Sequence, residues 1–259
     1  MEGGFSMPEY IWLADIPFLR FPSADNAADD IVKSAARRSF GRNVHLANAY
    51  TSVCAAKDPA FLSILQHAWR VLPDGRSVVL AGKLLRAMRL TQVPGPSLFE
   101  DVLDFGRGGG VRHFMLGTTP ETLVRLRESL EKKFPGVLIV GQLAPPYRDD
   151  WDRMEVQDWI VQFEAVNADI VWIGLGTPKQ DRVAGLLAQQ SDRIFIAVGA
   201  AFDFSSGTKR RGPRILRRLG LEWLFRLLSE PKRLWRRYLL GLPEFAWVLL
   251  RAERRCRQR

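Results

Sequence analysis

The chain of 259 residues (29.4 kDa) is 47% hydrophobic, which suits one large α/β domain with an appendage and sets it apart from a disordered polymer. Its two cysteines, Cys54 and Cys256, and its three histidines, His45, His67 and His113, show neither disulfide nor metal-ligand spacing, so each histidine is read as a packing or surface residue and a reducing, cytosolic setting is expected. The net charge of +10 is concentrated: residues 209–259 carry sixteen Lys and Arg against four Glu, a balance of +12, and the rest sums to −2, which calls for an anionic partner at the C-terminal end.

Residues 1–22 lack the basic start and apolar core of a signal peptide, and 1–20 read as an irregular or short-strand segment. Ser23 can cap a helix reaching to about residue 40. A short strand over 43–47 delivers Asn48, and two helices, 49–57 and 59–68, are split at Asp58. The run RVLPDG over 70–75 is a strand end followed by a proline-aspartate-glycine turn with Asp74 at its tip. Residues 77–88, apolar on most faces, predict a buried helix, and 97–105 a second. The glycine-rich stretch 106–110 precedes the strand 111–116, whereas a dinucleotide loop follows a strand, so that reading is set aside.

LGTTPE over 116–121 does leave a strand and open a helix, which brings Gly117 and Thr118 to a strand end. A strand at 137–140, a loop at 145–152 and an amphipathic helix at 153–167 lead to ADIVWIGLGTPKQD over 168–181. There an unbroken apolar run, as in a strand covered on both faces, meets Gly174 and Gly176, with Thr177 as a cap and Pro178 in the first helical turn. Lys179 and Gln180 stand beside that opening, and after the helix a strand at 194–198 ends at Gly199. Helical segments at 213–219, 222–228 and 231–254 complete the chain. Strand and helix alternate throughout, so the expected fold is α/β, a largely parallel, Rossmann-like sheet flanked by helices over 1–208, with a basic helical appendage over 209–259.

In such a sheet the strand ends at Gly117, Gly174 and Gly199 share one edge, where open α/β folds bind ligands, and their amides and helix N-termini suit a diphosphate. Asp74 and Asp203 are the carboxylates near that edge: the first suits a general base, although a turn aspartate more often bonds its own backbone, and the second suits a buried acceptor that organises its loop. Asp150-Trp151-Asp152 has a spacing by which some glycosyltransferases hold a metal, but no apolar strand precedes it. The basic C-terminal segment interleaves its charges with Leu221, Trp223, Leu227, Leu234 and Trp235, which favours an anionic membrane surface over nucleic acid. Its longest apolar run, 239–250, contains Pro243 and Glu244 and falls short of the roughly 20 residues needed to cross a bilayer.

Six blocks, NVHLANAY, VLPDGRSVV, LGTTPET, GLGTPKQD, VGAAFDFSSGTKRRGP and GLEWLFRLLSEPKRLWRRYLLG, in this order, resemble the bacterial WecG/TagA/CpsF family of glycosyltransferases from about residue 43 to 241. The resemblance implies an inverting transfer, with no bound metal or other cofactor, from a UDP-sugar, often UDP-N-acetylmannosamine, to a polyprenyl-diphosphate-linked saccharide. It places that activity in cell-envelope or extracellular polysaccharide synthesis, peripheral on the cytoplasmic membrane face. It assigns Asp74 as the base, Asn48 and Gln180 to substrate binding, and Arg226, Arg233 and Arg236 to an appendage closing over the site. Spacing alone puts these three arginines near one face of a continuous helix, which Pro231 interrupts. The chain departs from the family at Leu46, where a threonine is usual, and over 92–97, where Gln92 and Ser97 replace an arginine and an aspartate; both departures bear on sugar specificity. The alternative is a catalytically degenerate relative acting as a scaffold in a polysaccharide assembly complex. Homo-oligomerisation is left open.

Overall fold

A computed structural model of the chain describes residues 9–148, 151, 153–213, 216 and 222–258. The chain starts with a hairpin, β1 (Tyr10–Leu13) and β2 (Ile16–Leu19), whose turn residues Ala14 and Asp15 both have positive φ. Then follow α1 (Ala24–Ala35), β3 (Asn43–Ala47), α2 (Ala49–Lys57), α3 (Pro59–Gln66), β4 (Arg70–Pro73), α4 (Arg76–Arg86) and α5 (Gly95–Gly106). The second half runs β5 (Arg112–Gly117), α6 (Pro120–Lys133), β6 (Leu138–Leu143), α7 (Arg153–Ala165), β7 (Ile170–Gly174), α8 (Lys179–Gln190), β8 (Ile194–Ala197) and α9 (Ala201–Ser205). Three C-terminal helices, α10 (Glu222–Ser229), α11 (Pro231–Trp235) and α12 (Gly241–Arg257), close the chain, with a π-helical turn over Arg236–Leu240 before the last.

The expected α/β architecture is present. Strands β3 to β8 form a six-stranded sheet in the order β4-β3-β8-β7-β5-β6, parallel at every pairing. The chain leaves β7 toward β8 but leaves β5, its neighbour, toward β6. Adjacent strands whose connections depart in opposite directions open a crevice at their carboxyl ends.

Both faces of the sheet are covered, and this accounts for the unbroken apolar runs in its central strands. Along β7, Ile170 and Trp172 join the cluster under α1, α5 and α6, whereas Val171 and Ile173 join the one under α7 and α8. A third cluster gathers the hairpin, α2, α3, the inner face of α4, and Phe245, Val248 and Leu249 of α12. The last helix is therefore built into the body. Ser23 caps α1 as read, and the helices split at Asp58 as read; the side chains of Asp58 and Thr119 also prove to cap α3 and α6.

Several boundaries differ from the reading of the sequence. Helix α1 stops at Ala35, and β6 extends to Leu143. Pro178 is the N-cap of α8 and not in its first turn, and Thr177 does not cap it. Helix α4 is not buried: it lies beside the edge strand and the hairpin, so only Val78, Ala81 and Gly82 are covered and Leu80 and Leu84 face outward. Asp150, Asp152 and most of the helix read at 213–219 lie outside the described residues.

His113, fully buried on β5, is a packing histidine as expected. The indole Nε1 of Trp172 donates to its Nδ1 at 3.1 Å, which puts the ring proton on Nε2, an atom with no partner among the described residues. Desolvation, opposed by Asp169, pushes its pKa down to about 3. The unfolded chain then binds a proton below its ordinary value of 6.5 that the folded chain refuses, so stability falls as pH drops from 6.5 toward 3, by about 1.4 kcal/mol per pH unit. In urea titrations between pH 7 and 4.5, His113→Gln, which can still accept from Trp172, is expected to lose that part of the slope. Equal slopes in the two proteins would refute this.

Candidate active site

A cleft of about 660 Å³ opens along the carboxyl edge of the sheet. Each parallel strand sends a residue into it: Asn48 after β3, Asp74 after β4, Thr118 after β5, Tyr147 after β6, Gly176 after β7 and Gly199 after β8. The C-terminal helices add Arg226 and Arg237.

At one end Asn48 caps α2, its Oδ1 accepting from the amides of Tyr50 (3.0 Å) and Thr51 (3.2 Å). That fixes the amide orientation and leaves Nδ2 to donate to Asp74 Oδ2 at 3.3 Å. The Asp74 amide donates to the Ala47 carbonyl, and Gly75 takes φ +104 directly after it, so the proline-aspartate-glycine turn is bound to the end of β3. Asp74 thus faces the cleft in a fixed setting. Leu46 and Gly95 wall this end together, since a Cβ on Gly95 would sit 2.9 Å from Leu46 Cδ1. Ser97 accepts from Arg211 at 2.7 Å.

The glycine turns behave differently from a phosphate cradle. Gln180, 4% exposed, accepts with its Oε1 from the amides of both Gly176 and Gly199, each at 3.0 Å, and its Nε2 donates to Thr177 Oγ1 at 3.4 Å. These amides are therefore engaged by Gln180, which brackets the loops after β7 and β8. Gly117 and Gly174 are paired across β5 and β7, and a Cβ on Gly117 would lie 2.6 Å from the Gly174 carbonyl oxygen. A Cβ on Gly174 would meet the Phe202 ring at the same 2.6 Å. Both are glycines for close packing; Gly174 still lines the cleft and Gly117 does not. Below them His45 and Asp181, both buried, bond at 2.9 Å and tie β3 to α8. Asn43 Oδ1 accepts from the Trp69 amide, so its Nδ2 faces His45 Nε2 and the ring proton on Nδ1 goes to Asp181.

Gln180→Met keeps the bulk and removes the shared acceptor. It is expected to lower unfolding free energy by about 1–3 kcal/mol through two stranded amides, and kcat/KM with it as the two loops separate. An unchanged melting temperature together with lost donor binding would show instead that Gln180 acts by touching the ligand.

Lys179 donates to the Arg148 carbonyl at 2.8 Å and lies over the Tyr147 ring, fastening the loop after β6 to the mouth of the cleft. Asp203 pairs with Lys209 at 2.7 Å, and its backbone carbonyl accepts from the Lys209 amide and Thr208, so it organises its loop as read, but its side chain is half-buried and ion-paired where a buried acceptor was expected.

The positive charge comes from the C-terminal helices. Arg226 stacks over Phe204, and its buried Nε has no partner among the described residues. Arg237 lies 4.4 Å over the Tyr50 ring. Its pKa is lowered chiefly by burial, with Arg226 adding repulsion and Tyr238, Tyr50 and Asp74 opposing. Burial also raises the Tyr50 phenol and the Cys54 thiol, so neither is an anion to neutralise it. Two guanidiniums that repel each other beside an unfilled donor describe an anion site.

Arg236 does not line the cleft; it is exposed and stacks on Trp235. The side chain of Arg233 lies outside the described residues. Reading these residues as one helix misplaces the phase, because the chain breaks at Glu230 and then makes a π turn from Arg236, which brings Arg237 inward. Arg237 and its stacking partner Tyr50 were not singled out by the sequence. Each lies inside a block quoted for the family resemblance, Arg237 next to Arg236 and Tyr50 two residues after Asn48, and that was the signal available for them.

The sequence pattern of the glycosyl transferase WecG/TagA/CpsF family matches residues 11–259. An N-acetylglucosaminyldiphosphoundecaprenol N-acetyl-β-D-mannosaminyltransferase of Bacillus spizizenii is 31% identical over 220 residues, covering 83% of this chain and 80% of its own. Proteins of the same name from Bacillus subtilis (27%, covering 87% of this chain and 86% of its own) and Staphylococcus aureus strain MRSA252 (25%, 79% and 78%) are similar too. With a matching pattern that spans nearly the whole chain, and a parallel sheet whose edge gathers the expected Asp74, Asn48 and Gln180, the chain belongs to the WecG/TagA/CpsF family of glycosyltransferases.

Proposed function

We propose that this glycosyltransferase moves N-acetylmannosamine, with inversion, from UDP to a saccharide carried on a polyprenyl diphosphate, as the names of its relatives describe for N-acetylglucosaminyldiphosphoundecaprenol. The observation that carries the reading is one cleft with a carboxylate at one end, Asp74, and two guanidiniums brought in from the C-terminal helices, Arg226, whose buried Nε has no partner among the described residues, and Arg237, held over the Tyr50 ring. The acceptor hydroxyl oxygen attacks C1 of the sugar, its proton passes to Asp74, and the C1–oxygen bond breaks with its electron pair leaving on UDP. Arg226 and Arg237 take up the charge that develops on the diphosphate, a preorganised contribution that supports turnover without a metal ion. Asn48 holds the base, and Gln180 holds the loops on which the donor rests.

Among the described residues no helix is long and apolar enough to cross a membrane. A lipid-linked acceptor supports a peripheral position on a membrane surface, and a nucleotide donor supports its cytoplasmic side. The outward groups of the C-terminal segment, Leu239, Leu240, Trp247 and Leu250, followed by exposed Arg251 and Arg254, support that contact.

The test is a screen of UDP-sugars with a short-chain prenyl-diphosphate N-acetylglucosamine, with EDTA present and absent. Product and UDP are expected in equal amounts, UDP-N-acetylmannosamine fastest, at rates within about twofold with and without EDTA. Loss of turnover in EDTA that a divalent ion restores would overturn the metal-free part. Binding of UDP with no transfer from any donor would favour the scaffold reading.

A further inference from the structure

Helix α4 begins two residues after Asp74, and its outer face is unusual for a helix so apolar. Leu80 is 55% exposed and Leu84 72%, one turn apart on one line, with exposed Lys83 beside them. No aspartate or glutamate occurs anywhere in residues 75–99, whereas Arg76, Lys83, Arg86 and Arg89 do. The inner face is fixed: Val78 and Ala81 share one apolar cluster with Ile11 and Leu13 of β1 and with Phe245 and Val248 of α12. Arg86 donates to the Trp12 carbonyl at 3.3 Å and forms an ion pair with Glu253, so hairpin, α4 and α12 are fastened together. The flanking elements add exposed apolar groups, Trp12 at 51% and Trp247 at 58%.

We infer that the outer face of α4 is a second membrane contact, a basic and leucine-bearing surface of the catalytic body that docks on an anionic bilayer and brings the lipid-borne acceptor beside Asp74. This rests on the proposed lipid-linked acceptor and extends the contact beyond the C-terminal helices. A bilayer with anionic headgroups satisfies both halves of the surface, since the leucines enter the interface while the cations meet the headgroups. Arg86 is already offset by Glu253, but a second copy of the chain seated face to face would set exposed Lys83 and Arg89 against their own copies with no carboxylate from residues 75–99 to offset them. The position explains the composition: a lipid held at α4 reaches the turn that carries the base within a few residues.

Flotation of the full chain with phosphatidylcholine vesicles, plain or with about a quarter phosphatidylglycerol, tests this, alongside turnover on a short water-soluble acceptor. Leu80→Gln/Leu84→Gln, at exposed sites, is expected to reduce affinity for the anionic vesicles about tenfold and transfer to a vesicle-embedded acceptor in step, with turnover on the soluble acceptor within about twofold. Lys83→Glu should weaken vesicle binding further and flatten its salt dependence. A double variant that floats as the parent does would overturn the inference. So would a parent dimer that the double variant converts to monomer with vesicle affinity unchanged, which would make the face an interface between copies. Absence of transfer by the parent on the soluble acceptor would sink the proposed activity instead, and the vesicle measurement would still decide the role of α4.

Discussion

Replacing Asp74 by Asn is expected to lower the transfer rate about 10³- to 10⁴-fold while leaving UDP affinity within about twofold. Asparagine keeps an oxygen that can accept from Asn48 Nδ2, so the turn at the end of β4 should hold its geometry. What disappears is the site for the acceptor's proton, and a thousandfold corresponds to about 4 kcal/mol of barrier. Single-turnover rates at saturating donor, set beside a calorimetric UDP titration, separate the two quantities. A large loss of UDP affinity would mean that the carboxylate mainly arranges Arg237, whose charge it supports. Unchanged turnover would remove Asp74 from the mechanism.

The sheet was legible because its signals are local and repeated. Apolar runs such as 170–173 need cover on both faces, and turn residues end each of them. Asp74 could be placed on a turn by its proline and glycine, and its partner Asn48 could be placed at a helix start. That the two are bonded depends on the adjacency of β3 and β4, which no local pattern states.

The glycines mark the limit of motif reading. Gly117 and Gly174 sit where a phosphate turn would put them, yet what they admit is the neighbouring backbone and the Phe202 ring. Gly176 and Gly199 do offer amides, but Gln180 takes both, through contacts between loops that follow different strands. Helix α4 misled for a related reason. Its composition reads as buried, but how many of its faces are covered depends on its place at the edge of the sheet.

Arg237→Ala is expected to reduce kcat about 10²- to 10³-fold and to weaken UDP binding, whereas Arg236→Ala, its neighbour in sequence, should change either by less than about twofold. The π turn from Arg236 separates the two: Arg236 stacks on Trp235 outside the cleft, and Arg237 is directed over Tyr50 toward Asp74 and Arg226. If the stack on Tyr50 sets that direction, Tyr50→Phe keeps the ring and should retain nearly full activity. Tyr50→Ala removes a cation–π contact of about 1–2 kcal/mol and frees the guanidinium to swing, at a cost of about tenfold in kcat. Steady-state kinetics on the four variants, with melting curves to confirm folding, give the ordering. Equal damage from Arg236→Ala and Arg237→Ala would show that the appendage acts as a diffuse positive surface. Loss confined to Arg237, rescued at position 50 by phenylalanine and not by alanine, would place one oriented guanidinium on the departing diphosphate.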